Sequence, residues 1–161
     1  MKKARVKNLG KIYGIILECA EWLKSKRINQ WSTPYPRNLF KKDIEKEKVF
    51  YFAVNKKIIG TATLSRTMPF YHPKNIWDSD KSALYLCRLA VARRLKNKGI
   101  GKKLLSQIEN FAKSKKIKNL RIDIVKSNKF LKKYYSDAGF VSVKEAVIRK
   151  TPSVFMEKEI K

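Results

Sequence analysis

Gly99-Ile100-Gly101 is bracketed by Lys96, Lys98 and Lys102 and opens a run in which Ile100, Leu104, Ile108 and Phe111 recur at helical spacing. These residue types in this order suit an anion. A helix N-terminus presents unpaired backbone N–H groups and a partial positive charge. Glycine there allows left-handed backbone angles and a close approach to the chain, as a phosphate or pyrophosphate requires. The lysines add side-chain charge. A plain β-to-α turn with solvated lysines fits the same residues, because short glycine motifs recur by chance. Two well-known phosphate loops are excluded: there is no GxxxxGK[ST], and no GxGxxG with a downstream acid on a first βαβ unit.

Other groups with chemistry are few. His72, the sole histidine, lies in a proline-flanked loop and reads as a surface residue rather than a catalyst. Cys19 and Cys87 fit no metal spacing and no disulfide framework, so no metal is expected and a reducing cytoplasm is. Cys87 reads as a small apolar residue of a buried strand. No general base stands out. Asp123 carries a carboxylate but fits as a structural partner for Arg88 or Arg121, while Asp78, Asp80, Glu47 or a water chain are alternatives.

The elements that must position these residues follow from periodicity and turn signals. Residues 2 to 7 read as a short strand. Asn8 is placed to cap a helix running to about Lys26, with Ile12, Ile15, Ile16, Cys19, Trp22 and Leu23 on one face. This amphipathic pattern explains the N-terminal apolar run better than a signal peptide does, and no segment is long enough to span a bilayer. An aromatic, proline-broken stretch (QWSTPYP) precedes a short helix over 38–46. Val49 to Val54 and Ile58 to Arg66 form a hairpin around Asn55-Lys56-Lys57. Residues 67 to 82 form a loop, and Ala83 to Ala92 a strand. A helix follows to about Lys115, then a strand over Leu120 to Val125. A helix over Phe130 to Ala138 is ended by Gly139, and strands over 140–149 and 153–160 close the chain. The 161 residues suffice for one domain, 1–161, of mixed α/β (α+β) class: a single, mostly antiparallel sheet flanked by helices.

Within this frame the basic turn reads Lys96-Asn97-Lys98-Gly99-Ile100-Gly101, an R/Q-x-x-G-x-G/A pattern with lysine at its first position. The preceding strand ends Arg88-Leu89-Ala90-Val91. Downstream, Asn128 is followed by Tyr135 seven residues later and then by Gly139-Phe140. These motifs together resemble the GCN5-related N-acetyltransferase (GNAT) superfamily over about 60 residues. The resemblance implies the acetyl-CoA N-acyltransferase-like fold, with acetyl-CoA as the cofactor and an amine as the acceptor. It implies that Lys96, Asn97, Lys98, Gly99, Ile100, Gly101 and Lys102 receive the pyrophosphate. It implies that Leu89, Ala90 and Val91, on a strand splayed from its neighbour, meet the pantetheine and polarise the thioester carbonyl. Asn128 would contact the pantetheine or acetyl end. Tyr135 would stand near the sulfur as a proton donor to the leaving thiolate. Transfer would be direct, without a covalent enzyme intermediate.

For the acceptor, Trp31, Tyr35, Tyr71 and Trp77 are candidates, since aromatic loops commonly line pockets; a satellite hydrophobic cluster is the bland alternative. The charge of +26 draws in anions and repels polycations such as aminoglycosides and polyamines. A local acidic pocket near Glu45, Glu47, Asp78 or Asp80 would overturn that bias. The charge also permits non-specific nucleic-acid binding. A basic nucleic-acid-binding module is the rival class, yet no recognised motif supports it and the lysines are diffuse. A CoA-binding sensor on the same fold is the other alternative. A cytoplasmic protein without membrane contact is expected, and a homodimer is left open.

Overall fold

Leu9, Ile12, Ile15, Ile16, Cys19, Ala20 and Leu23 are buried along one stripe of a 17-residue helix, α1 (Leu9–Ser25), as the spacing predicts. The computed structural model describes residues 1–28, 30–31, 35–78 and 82–161. Ser32, Thr33 and Pro34 of the QWSTPYP stretch, and Asp80 of the 67–82 loop, lie outside the described residues.

The remaining elements are β1 (Lys2–Lys3), α2 (Arg37–Glu45), β2 (Val49–Val54), β3 (Lys57–Ser65), β4 (Ala83–Val91), α3 (Ile100–Ser114), β5 (Asn119–Val125), α4 (Lys129–Asp137), β6 (Val141–Ile148) and β7 (Thr151–Glu159). The seven strands make one mixed sheet in the order β1-β2-β3-β4-β5-β7-β6. β4 and β5 run parallel; β1 with β2, β2 with β3, β5 with β7 and β6 with β7 run antiparallel.

The start of the chain departs from expectation. The strand stops at Lys3, and Val6–Asn8 form a single 3-10 turn. The Asn8 side chain does not cap α1. Its Oδ1 turns back to accept from the Arg5 N–H at 3.0 Å, while the Asn8 N–H donates to the Arg5 carbonyl at 2.8 Å. This local ring competes with both strand and cap.

Both hairpins use left-handed pairs, the twist that suits tight antiparallel turns. Asn55 and Lys56 (φ 47° and 63°) join β2 to β3, and Arg149 and Lys150 (φ 46° and 66°) join β6 to β7. The register of β6 against β7 shifts between Ser142 and Lys144.

The chain forms two compact units. The first comprises Met1–Leu64 and Cys87–Ile108, the second Ser65–Leu86 and Glu109–Lys161. In the first, Phe40 (0% exposed) sits with Ile12, Ile16, Ile44 and Val49 in a core against which Tyr13, Trp31 and Tyr35 pack. Full burial of a ring such as Phe40 contributes roughly 2–3 kcal/mol. In the second unit, Ile76, Ile148 and Phe155 form a cluster flanked by Met68, Tyr71 and Trp77.

Candidate active site

In the first unit the second half of β4 leads into the basic turn. Arg88 has φ 52° inside the strand, a left-handed residue that bends the strand as a bulge does. Its side chain clamps the bend. Nη2 donates to Asp43 Oδ2 at 2.7 Å and Nε to Thr63 Oγ1 at 3.1 Å, and the guanidinium lies 4.1 Å from the Tyr35 ring centroid. Burial, followed by the Asp43 carboxylate, pushes the Tyr35 hydroxyl above its ordinary pKa. Sequence reasoning saw Arg88 as the start of a strand-end motif and as a partner for Asp123. The available signal was a charged residue in the middle of ALYLCRLAVA.

Beyond Arg88, the Val91 carbonyl accepts from Cys19 Sγ at 3.4 Å, and the Ala92 N–H donates to the Ile59 carbonyl at 2.9 Å. A 3-10 turn, Arg93–Leu95, follows; Glu18 accepts from the Arg93 N–H at 3.2 Å, and Trp22 carries the Arg93 guanidinium 3.9 Å from its ring centroid.

The turn then opens. Asn97 (φ 59°) and Gly99 (φ 67°) are left-handed, and α3 begins at Ile100. Lys103 N–H donates to the Gly99 carbonyl at 3.2 Å, the first bond of the helical ladder. The N–H groups of Ile100, Gly101 and Lys102 therefore point out of the helix start. Lys96, Asn97, Lys98 and Gly99 are exposed, the first turn of α3 holds no acidic residue, and no ion pair engages Lys96, Lys98 or Lys102 among the described residues. Gly99 is needed for its angle rather than for room, because a Cβ there would meet nothing within 4 Å.

Gly60 has the opposite reason. A Cβ on it would lie 2.5 Å from Leu104 Cδ1 and 2.9 Å from the Ala90 carbonyl oxygen. The absent side chain lets α3 seat against β3 and so fixes where the α3 N-terminus stands. The sequence held no sign of this beyond a glycine inside a strand.

In the second unit, the first half of β4 pairs with β5: Ala83 with Asn119, Leu84 with Leu120, Tyr85 with Arg121. Asn128 and Tyr135 share α4. Asn128 is buried at the N-cap, and its Oδ1 accepts from the Leu131 N–H at 3.0 Å, which gives it a structural task. Tyr135 is buried with its ring 5.2 Å from those of Tyr134 and Phe140. Gly139 (φ 87°) ends α4, with the Phe140 N–H returning to the Tyr135 carbonyl at 3.0 Å. The Tyr134 hydroxyl is buried without a partner among the described residues, and burial, then Glu109, pushes it up to about 12.

Two expectations are corrected here. His72 is buried, not a surface residue: rings of Tyr71, Trp77, Tyr85 and Phe155 lie 4.9–6.0 Å from its own. Asp123 pairs with neither arginine; its Oδ1 meets His72 Nε2 at 3.0 Å. Arg88 takes Asp43 instead, and Arg121 takes Glu157 Oε2 at 2.6 Å and the Tyr85 hydroxyl at 3.3 Å. Charged side chains inside strands find partners across the fold, and spacing along the sequence does not reveal which. Of the acceptor candidates, Trp31 and Tyr35 pack on the first unit's core, Tyr71 and Trp77 in the second unit's aromatic cluster.

A mixed sheet whose fourth strand bends and leads through an open, cation-lined turn into a helix is the frame of a fold shared with acetyltransferases. The chain belongs to the acetyltransferase (GNAT) family, whose description matches residues 16–140. It is 29% identical over 139 residues to the uncharacterized N-acetyltransferase YesJ of Bacillus subtilis, covering 80% of this chain and 74% of that protein. Its fold is similar to a GNAT-family acetyltransferase from Listeria monocytogenes (TM-score 0.83, 21% identity, 98% of this chain and 92% of that one). It is also similar to the ribosomal-protein-S18-alanine N-acetyltransferase of Escherichia coli (TM-score 0.72, 14% identity, 99% and 92%). The protein is thus an acetyltransferase of a family that uses acetyl-CoA. Among the described residues, no helix is long and apolar enough to cross a membrane.

Proposed function

We propose that the protein transfers the acetyl group of acetyl-CoA directly to a primary amine. The observation that carries this reading is the open turn at Lys96–Lys102. Three outward N–H groups, a left-handed exposed glycine and lysines without acidic partners among the described residues fit a diphosphate. Lys96, Asn97, Lys98, Gly99, Ile100, Gly101 and Lys102 hold the pyrophosphate through backbone N–H groups, with the lysines adding charge. Leu89, Ala90 and Val91, beyond the Arg88 bend, offer backbone groups to the pantetheine and an amide to the developing oxyanion. Asn128, besides capping α4, contacts the pantetheine or acetyl end. Tyr135 gives a proton to the departing thiolate. The cofactor supplies an activated acetyl group; the chain binds, orients and handles protons. Trp31, Tyr35, Tyr71 and Trp77 are the acceptor-side residues. A cytoplasmic location suits the cofactor.

The test pairs calorimetric titration with acetyl-CoA against a thiol-release assay over a panel of amines. Acetyl-CoA should bind saturably, and Tyr135→Phe should slow thiol release while leaving that binding intact. If acetyl-CoA raises the melting temperature no more than a polyanion of equal charge does, the reading fails.

A further inference from the structure

Four carboxylates of the described residues are half-buried: Asp43, Glu109, Asp123 and Glu157. Arg88 faces Asp43, Lys158 faces Glu109 at 2.8 Å, and Arg121 faces Glu157. Asp123 alone faces an imidazole. Of the exposed acids named for an acidic pocket, the three among the described residues are also occupied: Glu47 by Lys3, Glu45 by Lys41, Asp78 by Lys144. In a chain with 39 basic and 13 acidic residues, a half-buried carboxylate with no lysine or arginine partner among the described residues is conspicuous.

Its holder explains why it persists. The His72 side chain is 1% exposed, Nε2 meets Asp123 Oδ1, and Nδ1 is buried with no partner among the described residues. A proton on Nε2 satisfies the contact and leaves Nδ1 as a bare lone pair, whereas an N–H there would be orphaned. The imidazole thus orients Asp123 and satisfies one oxygen. The carboxylate remains 24% exposed, with Oδ2 unengaged among the described residues. Nearby Arg121, two residues back on the same face of β5, is already held by Glu157. The half-buried rings of Tyr71 and Trp77 flank His72, with the Arg149 guanidinium 5.1 Å from the Tyr71 ring centroid and that of Arg121 4.9 Å from the Trp77 ring centroid.

We propose that Asp123, positioned by His72, is the recognition point for the ammonium group of a cationic acceptor. The acceptor class is a primary ammonium on an aromatic or aliphatic stem, not a polycation, for there is one carboxylate to receive one charge. This rests on the acetyl-transfer reading for its role, yet the recognition is testable without it.

The experiment is calorimetric titration of the full chain with phenethylammonium chloride and, separately, its uncharged isostere 2-phenylethanol. The wild type should prefer the ammonium. Asp123→Asn retains an acceptor for the His72 N–H and loses only charge; it should weaken ammonium binding about tenfold and leave the alcohol unchanged. His72→Gln, which still offers a donor, should keep the preference, and His72→Leu should shrink it; a merely structural role would move both affinities together. Equal binding of the two probes, no saturable ammonium binding, or wild-type ammonium affinity in Asp123→Asn overturns the proposal. Acetyl-CoA titration of the same samples separates the outcomes. Intact cofactor binding with no ammonium preference sinks the recognition point alone, and lost cofactor binding in the wild type sinks the transfer reading.

Discussion

Replacing Gly99 with alanine isolates backbone geometry from side-chain charge at the basic turn. The residue has φ 67° and is exposed, and a Cβ would find open space. No clash or cavity contributes, so the cost is that of a left-handed L-residue, about 1–2 kcal/mol. In a chain of this size that lowers the melting temperature by roughly 2–8 °C. If the turn relaxes to escape the strain, the N–H groups of Ile100, Gly101 and Lys102 lose their common aim, and acetyl-CoA affinity should fall by a factor of about 5–30. Gly99→Asn tolerates left-handed angles better and should recover part of both losses. Calorimetry with acetyl-CoA, beside thermal unfolding of the apo proteins, reads both quantities. Full cofactor affinity in Gly99→Ala, with an unshifted melting temperature, would refute the claim that this glycine's angle builds the cradle.

Further outcomes are expected elsewhere. Gly60→Ala drives a Cβ into Leu104 and the Ala90 carbonyl, so thermal unfolding should show a loss of about 1–3 kcal/mol. Tyr134→Phe removes a buried hydroxyl that has no partner among the described residues and should stabilise by about 1 kcal/mol in denaturant unfolding. Because the folded pKa of Tyr134 is raised to about 12 from 10.0, the folded state holds its proton longer than the unfolded one. This group takes nothing further from stability below pH 10, and stability falls as pH climbs from 10 towards 12; Tyr134→Phe should flatten that part of the pH–stability curve. Lys150→Gly relieves a left-handed lysine in the β6–β7 turn and should raise stability by about 1 kcal/mol in thermal unfolding.

The elements were largely legible because they repeat. The α1 stripe, the VFYFAV strand and the Asn55 turn each carry a local period or a turn residue. The Lys96–Gly101 turn was legible for the same reason. What escaped was set by distant partners. Nothing near Arg88 in sequence names Asp43 or Thr63, and nothing near His72 names Asp123. The Arg149-Lys150 turn lacks the Asn-Gly chemistry its angles favour; the Arg149 guanidinium, 5.1 Å from the Tyr71 ring centroid and 5.5 Å from that of Phe70, is a tertiary attraction invisible along the chain. Asn8 does not cap α1 because its Oδ1 is taken by the Arg5 N–H.

The two ends of the sheet order bear on how the protein behaves when concentrated. An outermost strand is a template for fibril-like growth if it is long, flat and apolar. Here β1 is two lysines long, and β6 is broken by the shift between Ser142 and Lys144 and carries Lys144 and Glu145 between its exposed valines, Val141 and Val147. Neither offers an uninterrupted ladder to another molecule. With a charge of +26 adding repulsion between copies, the protein is built to resist joining sheets edge to edge, even with two valines in the open.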